Sequence, residues 1–503
     1  MKRLLCLVAL LSAAAGVLAD EPLRIGSKRF TESYILAQLM AQVAAPKLPT
    51  TPEVKQGLGN TAIVYEALRS GSIDIYPEYA GTIALEILKS PKPMELQAMN
   101  QALAPLGLGA AIPLGFNDGY ALALRAADAK QLGIRTLSDL ARHPELKLGL
   151  SNEFIGRADG WKGLAAHYGL RHAPTGLDHG LAYDAIAGKQ VDVIDIYTTD
   201  AKIGHLGLTV LRDDKAYFPR YDALVLYRLD VPQRFPAAWA ALQQLAGRID
   251  EDAMIAMNAQ AELQGVAFDA IARDFLAGTQ GPAGAGARGF WAKLFAPDLW
   301  RLAWQHLGLV AASVVAAALV AIPLAVASFA HPRLRALLLG VTGLLQTVPS
   351  LALLAILISL LGAIGVVPAL LALTLYALLP IMRNTVTGLA EVPKGLREAA
   401  TALGMTARQR MRLVELPLAL PTVIAGLRIA TTIAIGTATI AAFIGAGGFG
   451  ERIVTGLALN DSGLLLAGAI PAAALALLSE ALFELAERAI HRRSGRTDSA
   501  HGR

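Results

Sequence analysis

Between residues 302 and 382 the chain carries no Lys, Asp or Glu, and Arg333 and Arg335 are its only strong cations. A run of that length cannot be the core of a water-soluble domain and still leave a polar surface. It fits a lipid bilayer, whose hydrocarbon needs roughly 20 apolar residues per crossing helix. Five segments qualify, near 303–329, 336–361, 366–382, 422–444 and 464–486. Trp291, Trp300 and Trp304 gather at the entry of the first, where amphipathic rings favour the membrane–water interface.

Loop charge sets the direction. Arg333 and Arg335 follow the first span; Arg383, Lys394, Arg397, Arg408, Arg410 and Arg412 follow the third; Arg488, Arg492, Arg493 and Arg496 follow the fifth. The alternate connections hold no basic residue (362–365) or only Arg452 (445–463). Basic loops stay cytoplasmic, so the chain is expected to enter from outside and end inside. The N-terminus agrees. Lys2 and Arg3, an apolar stretch from Leu4 to Leu18 and the small-residue site ending at Ala19 read as a secretory signal, residues 1–19. An uncleaved anchor is the alternative. Cys6 is the only cysteine and lies within that segment, so no disulfide or thiolate metal site is expected in the mature chain.

Residues 20–276 are of another kind, with scattered charge and short apolar strands alternating with helical patterns, as in an α/β domain with parallel sheets. Tyr65 to Asp74 and Tyr183 to Asp192 echo each other as helix end, turn and strand leading to Tyr76 or Tyr197. The echo suggests two lobes with a crevice beyond the strand ends. Residues 277–290 are Gly- and Ala-rich and read as a flexible tether of roughly 20 Å span. The net charge of +5 does not signal nucleic acid, because the cations lie beside the spans rather than in a stripe with aromatics. There is no G-x-x-x-x-G-K-[ST] loop for nucleotide phosphates. Gly445 to Gly450 fits G-x-G-x-x-G but follows an apolar span, so a tight bend at the membrane surface is expected instead.

Two resemblances sharpen this reading. Glu398-Ala399-Ala400-Thr401-Ala402-Leu403-Gly404, with Leu416-Pro417 beyond it, resembles the cytoplasmic EAA loop of ATP-binding-cassette permeases. The resemblance implies that this loop, residues 391–417, docks on a separate ATPase subunit through Glu398, Ala399, Ala400, Gly404, Leu416 and Pro417. It also implies that permease domains pair, here as a homodimer. Pro393 is placed to start a helix and Gly404 to end it.

The soluble half resembles the substrate-binding proteins of glycine betaine/carnitine/choline importers. The blocks that carry the likeness are Lys28-Arg29-Phe30-Thr31-Glu32, Tyr76-Pro77-Glu78-Tyr79-Ala80-Gly81-Thr82, Asn117-Asp118-Gly119-Tyr120, Arg157-Ala158-Asp159-Gly160, Tyr197-Thr198-Thr199-Asp200 and Phe218-Pro219-Arg220-Tyr221. The resemblance places Tyr79, Tyr120, Tyr197 and Tyr221 in an aromatic cage for a quaternary ammonium. It places Lys28, Thr82 and Arg157 on the ligand's carboxylate. The chemistry suits them: a trimethylammonium has no N–H to donate, so ring faces hold it at about 0.5–2 kcal/mol per contact, while Arg takes a carboxylate through paired N–H bonds. Ala80 and Gly119 stand where the family favours Thr, which widens the pocket and leaves bulkier betaines such as carnitine or ergothioneine open. Trp161 is either an added wall or packing. Glu78 and Asp118 keep an amino-acid ligand open, since either could meet an ammonium.

The expected architecture is therefore a two-lobed periplasmic-binding-protein fold of type II (20–276), a tether (277–290), an all-α permease of about five helices (291–490) and a cytoplasmic tail (491–503). The expected role is binding protein and permease of an importer in a bacterial inner membrane, with the binding domain outside. No catalytic residue, metal or cofactor of its own is expected, nor any nucleic-acid partner; lipid and an ATPase subunit are the expected partners. A membrane-anchored sensor is the rival from another class.

Overall fold

The computed structural model describes residues 21–278, 289–459 and 461–495. The signal, most of the tether and the end of the tail lie outside the described residues.

The soluble half holds two five-stranded sheets. Strands β1 (Arg24–Gly26), β2 (Glu53–Lys55), β3 (Ile75–Tyr79), β4 (Leu108–Ala111), β5 (Tyr120–Arg125), β6 (Leu148–Ser151), β7 (Thr175–Leu177), β8 (Val193–Tyr197), β9 (Leu208–Val210) and β10 (Ala223–Arg228) follow in chain order. The first lobe's sheet runs β2-β1-β3-β10-β4 and the second's β7-β6-β8-β5-β9. The sheets are mixed rather than parallel as expected. β10 and β5, the first strands after each crossing between lobes, run antiparallel to both neighbours because the chain enters each sheet from the opposite end. The two crossings lie side by side, joined by an antiparallel bridge between Asn117 and Asp222.

The echo maps onto this frame with one correction. Helices Thr61–Arg69 and His179–Ala187 each lead through a turn into the middle strand of a lobe, β3 or β8. The strand-end residue that corresponds to Tyr197 is Tyr79, not Tyr76, which lies three residues earlier within β3.

In the second half, helices Leu299–Ser328, Val366–Glu391 and Ser462–Ala486, and the helical run Ala407–Ile444, are long and apolar enough to cross a membrane. The expected single span at 336–361 is instead two helices, Pro332–Thr347 and Ser350–Leu361, bent by 102°. Pro349 explains the break: it lacks an N–H and pushes the preceding Val348 into extended conformation (ψ 127°). Helices Val366–Glu391 and Leu416–Ala438 pack closely. A Cβ on Gly426 would sit 2.7 Å from that of Asn384, and one on Gly388 2.9 Å from the Ala419 carbonyl. Small residues allow such close approach where no hydrophobic force separates helix from lipid.

These two helices have distinct ends. At one end they meet Ile364 and the turn Gly445–Gly450, where positive φ at Gly445, Gly447 and Gly448 makes the expected bend. At the other lies the Glu398 loop. Twenty-six residues of helix separate the two at about 39 Å. Helix Gly450–Leu459 lies beside the soluble half and is anchored by buried Arg452, which donates to Asp298 at 2.7 Å. The lone cation of that loop is thus neutralised within the protein.

Candidate functional site

β-sheet register brings the first two rings together. Tyr120 opens β5 and Tyr197 closes β8, and the two are direct cross-strand partners with centroids 5.1 Å apart. Tyr221 meets Tyr120 edge-on at 5.8 Å, approaching so close to Gly81 that a Cβ there would lie 2.6 Å from its ring. Tyr79 joins through Phe30, 6.3 Å from Tyr79 and 5.2 Å from Tyr197. Phe154 stacks on Tyr120 at 5.1 Å. The four tyrosines therefore form one cluster. Phe30 and Phe154 belong to it as well and were not singled out from sequence, although Phe30 sits inside a quoted block.

The three polar residues border the rings, each already engaged. Arg157 donates two bonds of 2.7 Å to Asp159 and one of 3.2 Å to the Thr82 hydroxyl, with its guanidinium 5.0 Å from the Tyr120 centroid. Tyr221 donates to the same Asp159 at 2.6 Å. Gly160 makes this turn feasible, since a Cβ there would fall 1.8 Å from the Phe154 carbonyl. Lys28 pairs with buried Glu78 and lies 5.2 Å from the Tyr79 centroid. Lys28, Tyr79 and Thr82 come from one lobe, Tyr120, Arg157 and Tyr197 from the other, and Tyr221 from a crossing. The Arg157–Thr82 bond spans the cleft, as do Ala158 N–H to Glu86 at 2.6 Å and Arg29 to Asp178 at 3.0 Å. A cavity of about 100 Å³ opens between the lobes, bordered by Lys28, Phe30, Tyr197 and His179.

The remaining sequence candidates find other places. Glu78 is occupied by Lys28, the Tyr76 hydroxyl (3.1 Å) and the Tyr79 N–H (2.9 Å). The Thr199 hydroxyl oxygen lies 2.9 Å from Asp118 and 2.6 Å from Glu32, so its single proton goes to one carboxyl while its lone pairs can accept from the other when that one is protonated. Burial pushes the Asp118 and Glu32 carboxyls up, Glu32 to about 7 despite donors from Thr199, Tyr79 and Asn258. Trp161 is buried against His172, 6.5 Å ring to ring, and acts as packing.

At the far end of the permease helices, Lys394–Ala402 is a short helix beginning after Pro393 and stopping before Gly404, whose φ is +80°. Glu398, Ala399 and Gly404 are exposed, Ala400 is buried, and Leu416 and Pro417 open the next long helix. Buried Glu415 accepts from Arg410 at 2.8 Å and lies 3.8 Å from Arg397, fixing the loop to the helix foot. Leu403, 78% exposed, projects from it.

Residues 21–278 match the substrate binding domain of the ABC-type glycine betaine transport system, and residues 308–493 match the inner membrane component of binding-protein-dependent transport systems. A glycine-betaine-binding protein of Pseudomonas aeruginosa is 35% identical over 54% of this chain and 93% of its own length. A carnitine transport permease protein of Listeria monocytogenes is 44% identical over 37% of this chain and 84% of its own. An ergothioneine transport permease/ergothioneine binding protein of Helicobacter pylori is 31% identical over 51% of this chain, a match spanning 47% of that protein. The chain belongs to the binding-protein-dependent ABC importers of the glycine betaine type, with substrate-binding domain and inner-membrane permease in one polypeptide.

Proposed function

We propose that this chain captures a betaine-type quaternary amine outside the membrane and passes it through a pore built from its own helices. The carrying observation is the ring cluster of Tyr79, Tyr120, Tyr197 and Tyr221 edged by Arg157 and Lys28. Rings attract a cation that cannot hydrogen-bond, while Arg157 exchanges Asp159 for the ligand's carboxylate and the Thr82 hydroxyl turns from Arg157 to donate to it. Glu398, Ala399, Ala400, Gly404, Leu416 and Pro417 form the seat for a cytoplasmic ATPase subunit, and two copies of the permease enclose the path. The domain limits are those expected from sequence, residues 20–276 for capture and 291–490 for the permease.

A bulkier betaine such as carnitine or ergothioneine is the second reading, favoured by Gly119. A Cβ there would meet Asn117, Tyr221 and Thr198 only at 3.5–4.0 Å, so the glycine leaves room beside the cage. An amino-acid ligand is less favoured, because Glu78 is held by Lys28 and Asp118 by Thr199.

Calorimetry on the full chain with glycine betaine, choline, carnitine, ergothioneine and several amino acids tests the ligand class. Heat from a quaternary amine, weakened about tenfold or more by Tyr197→Ala, supports the cage. Binding confined to an ordinary amino acid would overturn it and leave the importer standing.

A further inference from the structure

Two buried carboxyls meet on one hydroxyl where the lobes hinge. Glu32 lies in the first turn of helix Thr31–Ala44 of the first lobe, and Asp118 lies on a crossing, next to the bridge between Asn117 and Asp222. Thr199 follows β8 of the second lobe and stands between them, its hydroxyl oxygen 2.6 Å from Glu32 and 2.9 Å from Asp118. That hydroxyl has one proton to give. If it goes to Asp118, the short contact with Glu32 sets oxygen lone pairs against an anion unless Glu32 carries a proton of its own, and the converse holds for Asp118. The contact therefore asks for one proton on the pair, as two like charges sharing a site also do.

The surroundings supply no cation in its place. Neither carboxyl has a salt-bridge partner among the described residues. Lys28 is paired with Glu78, next to Tyr79, whose hydroxyl donates to Glu32. Asp200, beyond β8, adds a like charge and is itself bonded to His179 and Tyr183. Glu262, at the end of helix Glu251–Glu262, faces Asp200, Lys202 and His179. Burial raises both carboxyls, Glu32 to about 7.

The arrangement spans the lobes. Asn258, on a helix packed against Thr31–Ala44, donates to Glu32 at 3.4 Å and to the Thr199 carbonyl at 3.1 Å. Parting the lobes would take the Thr199 hydroxyl from Glu32 and let water in, and a hydrated carboxyl returns to its ordinary range.

We propose that Glu32 and Asp118 form a proton site completed by closure, so that capture of the solute takes up a proton. The closed form holds a proton that the open form has released. Acid thus favours closure, and a rise in pH through the closed-state value weakens it. The proposal extends the ligand reading and rests on it only for the solute used in calorimetry.

The test titrates the full chain with glycine betaine at pH 7 in phosphate and in Tris, buffers of small and large ionisation heat. The difference in heat gives the protons taken up, expected at about 0.5 per solute for a closed-state value of about 7. Glu32→Gln and Asp118→Asn each supply an N–H donor to the Thr199 oxygen, so either should bring the uptake near zero, and the remaining binding heat reports that each variant folds. Glu262→Gln should leave the uptake in place, because Glu262 is raised to the same range but bonds to Thr31. No uptake by the unsubstituted chain, or uptake abolished by Glu262→Gln and kept by the other two, overturns the proposal. Closure is read without solute by energy transfer between dyes on Gln97→Cys and Ala166→Cys, exposed helical positions in opposite lobes, with Cys6→Ser. The closed-to-open ratio should fall about tenfold from pH 6 to pH 8 and stay level in Glu32→Gln. A level ratio in the unsubstituted chain refutes the link to closure. If no quaternary amine gives heat while this ratio still falls with pH, the ligand reading fails and the proton site stands.

Discussion

Glu32 is a buried carboxyl with no salt-bridge partner among the described residues, at the hinge between lobes and bonded to Tyr79, Thr199 and Asn258. Burial raises it from 4.5 to about 7, so the folded protein holds a proton that the unfolded chain releases near 4.5. Its stabilisation is whole below pH 4.5 and is lost as pH rises through about 7. His179 extends the trend. Burial alone would lower it, but Asp200 overrides that and raises it from 6.5 to about 9, so its contribution fades as pH rises through about 9. The unfolding temperature of the soluble half is therefore expected to fall from pH 5 to pH 9, and Glu32→Gln should flatten the limb below pH 7. A thermal melt series of both proteins checks this, and parallel curves would refute it. Gly119 sets a second test. Threonine fits there at ordinary contact distances beside Tyr221, so Gly119→Thr should fold and reduce affinity for ergothioneine or carnitine about tenfold more than for glycine betaine. Calorimetric affinities for the three solutes decide it. Both positions lay inside sequence blocks, but only the fold shows Glu32 and Asp118 meeting on one Thr199 hydroxyl, because those residues are far apart in the chain.

At the scale of elements, the paired helix–turn–strand units were legible as a repeat, and their registers explain which residues do what. Gly71 and Lys189 occupy the same place in the two turns, with φ of 75° and 57°. Glycine adopts that region freely, whereas an L side chain there costs about 1–2 kcal/mol. Lys189 is exposed, so Lys189→Gly should stabilise the second lobe by about 0.5–1 kcal/mol without altering ligand binding. Gly71→Lys should destabilise, since a Cβ there would press the Arg228 guanidinium at 3.0 Å. Denaturant melts of both variants test the pair. What the repeat could not convey was strand direction: β5 and β10 have ordinary apolar patterns, and their antiparallel setting follows from the crossings. The bent pair at 347–350 was hidden similarly, because summed hydropathy is blind to the way Pro349 divides one apolar run.

Over the whole molecule, the two long helices Val366–Glu391 and Leu416–Ala438 connect the end nearest the soluble half to the end that carries the Glu398 loop. The soluble half touches one end at Ile364 and Gly445, through Ser72 and Leu58, and the Glu398 loop caps the other. A displacement of that loop must be transmitted through helices whose glycines press backbone against backbone, leaving little slack. Under the proposed docking of an ATPase subunit on this loop, Leu403 is the apolar contact: it is 78% exposed and adjacent to Gly404, where the chain turns. Held by Glu415 to Arg410 and Arg397, the loop presents that leucine on a firm base. Leu403→Asp would place a charge at this proposed contact and leave the soluble half, about 39 Å of helix away, untouched. Solute affinity is expected to stay at the unsubstituted value while ATP-driven uptake in proteoliposomes containing the ATPase subunit falls about tenfold or more. Full uptake by the variant would show that the subunit grips elsewhere. Loss of solute binding together with uptake would mean that the two ends are not separable.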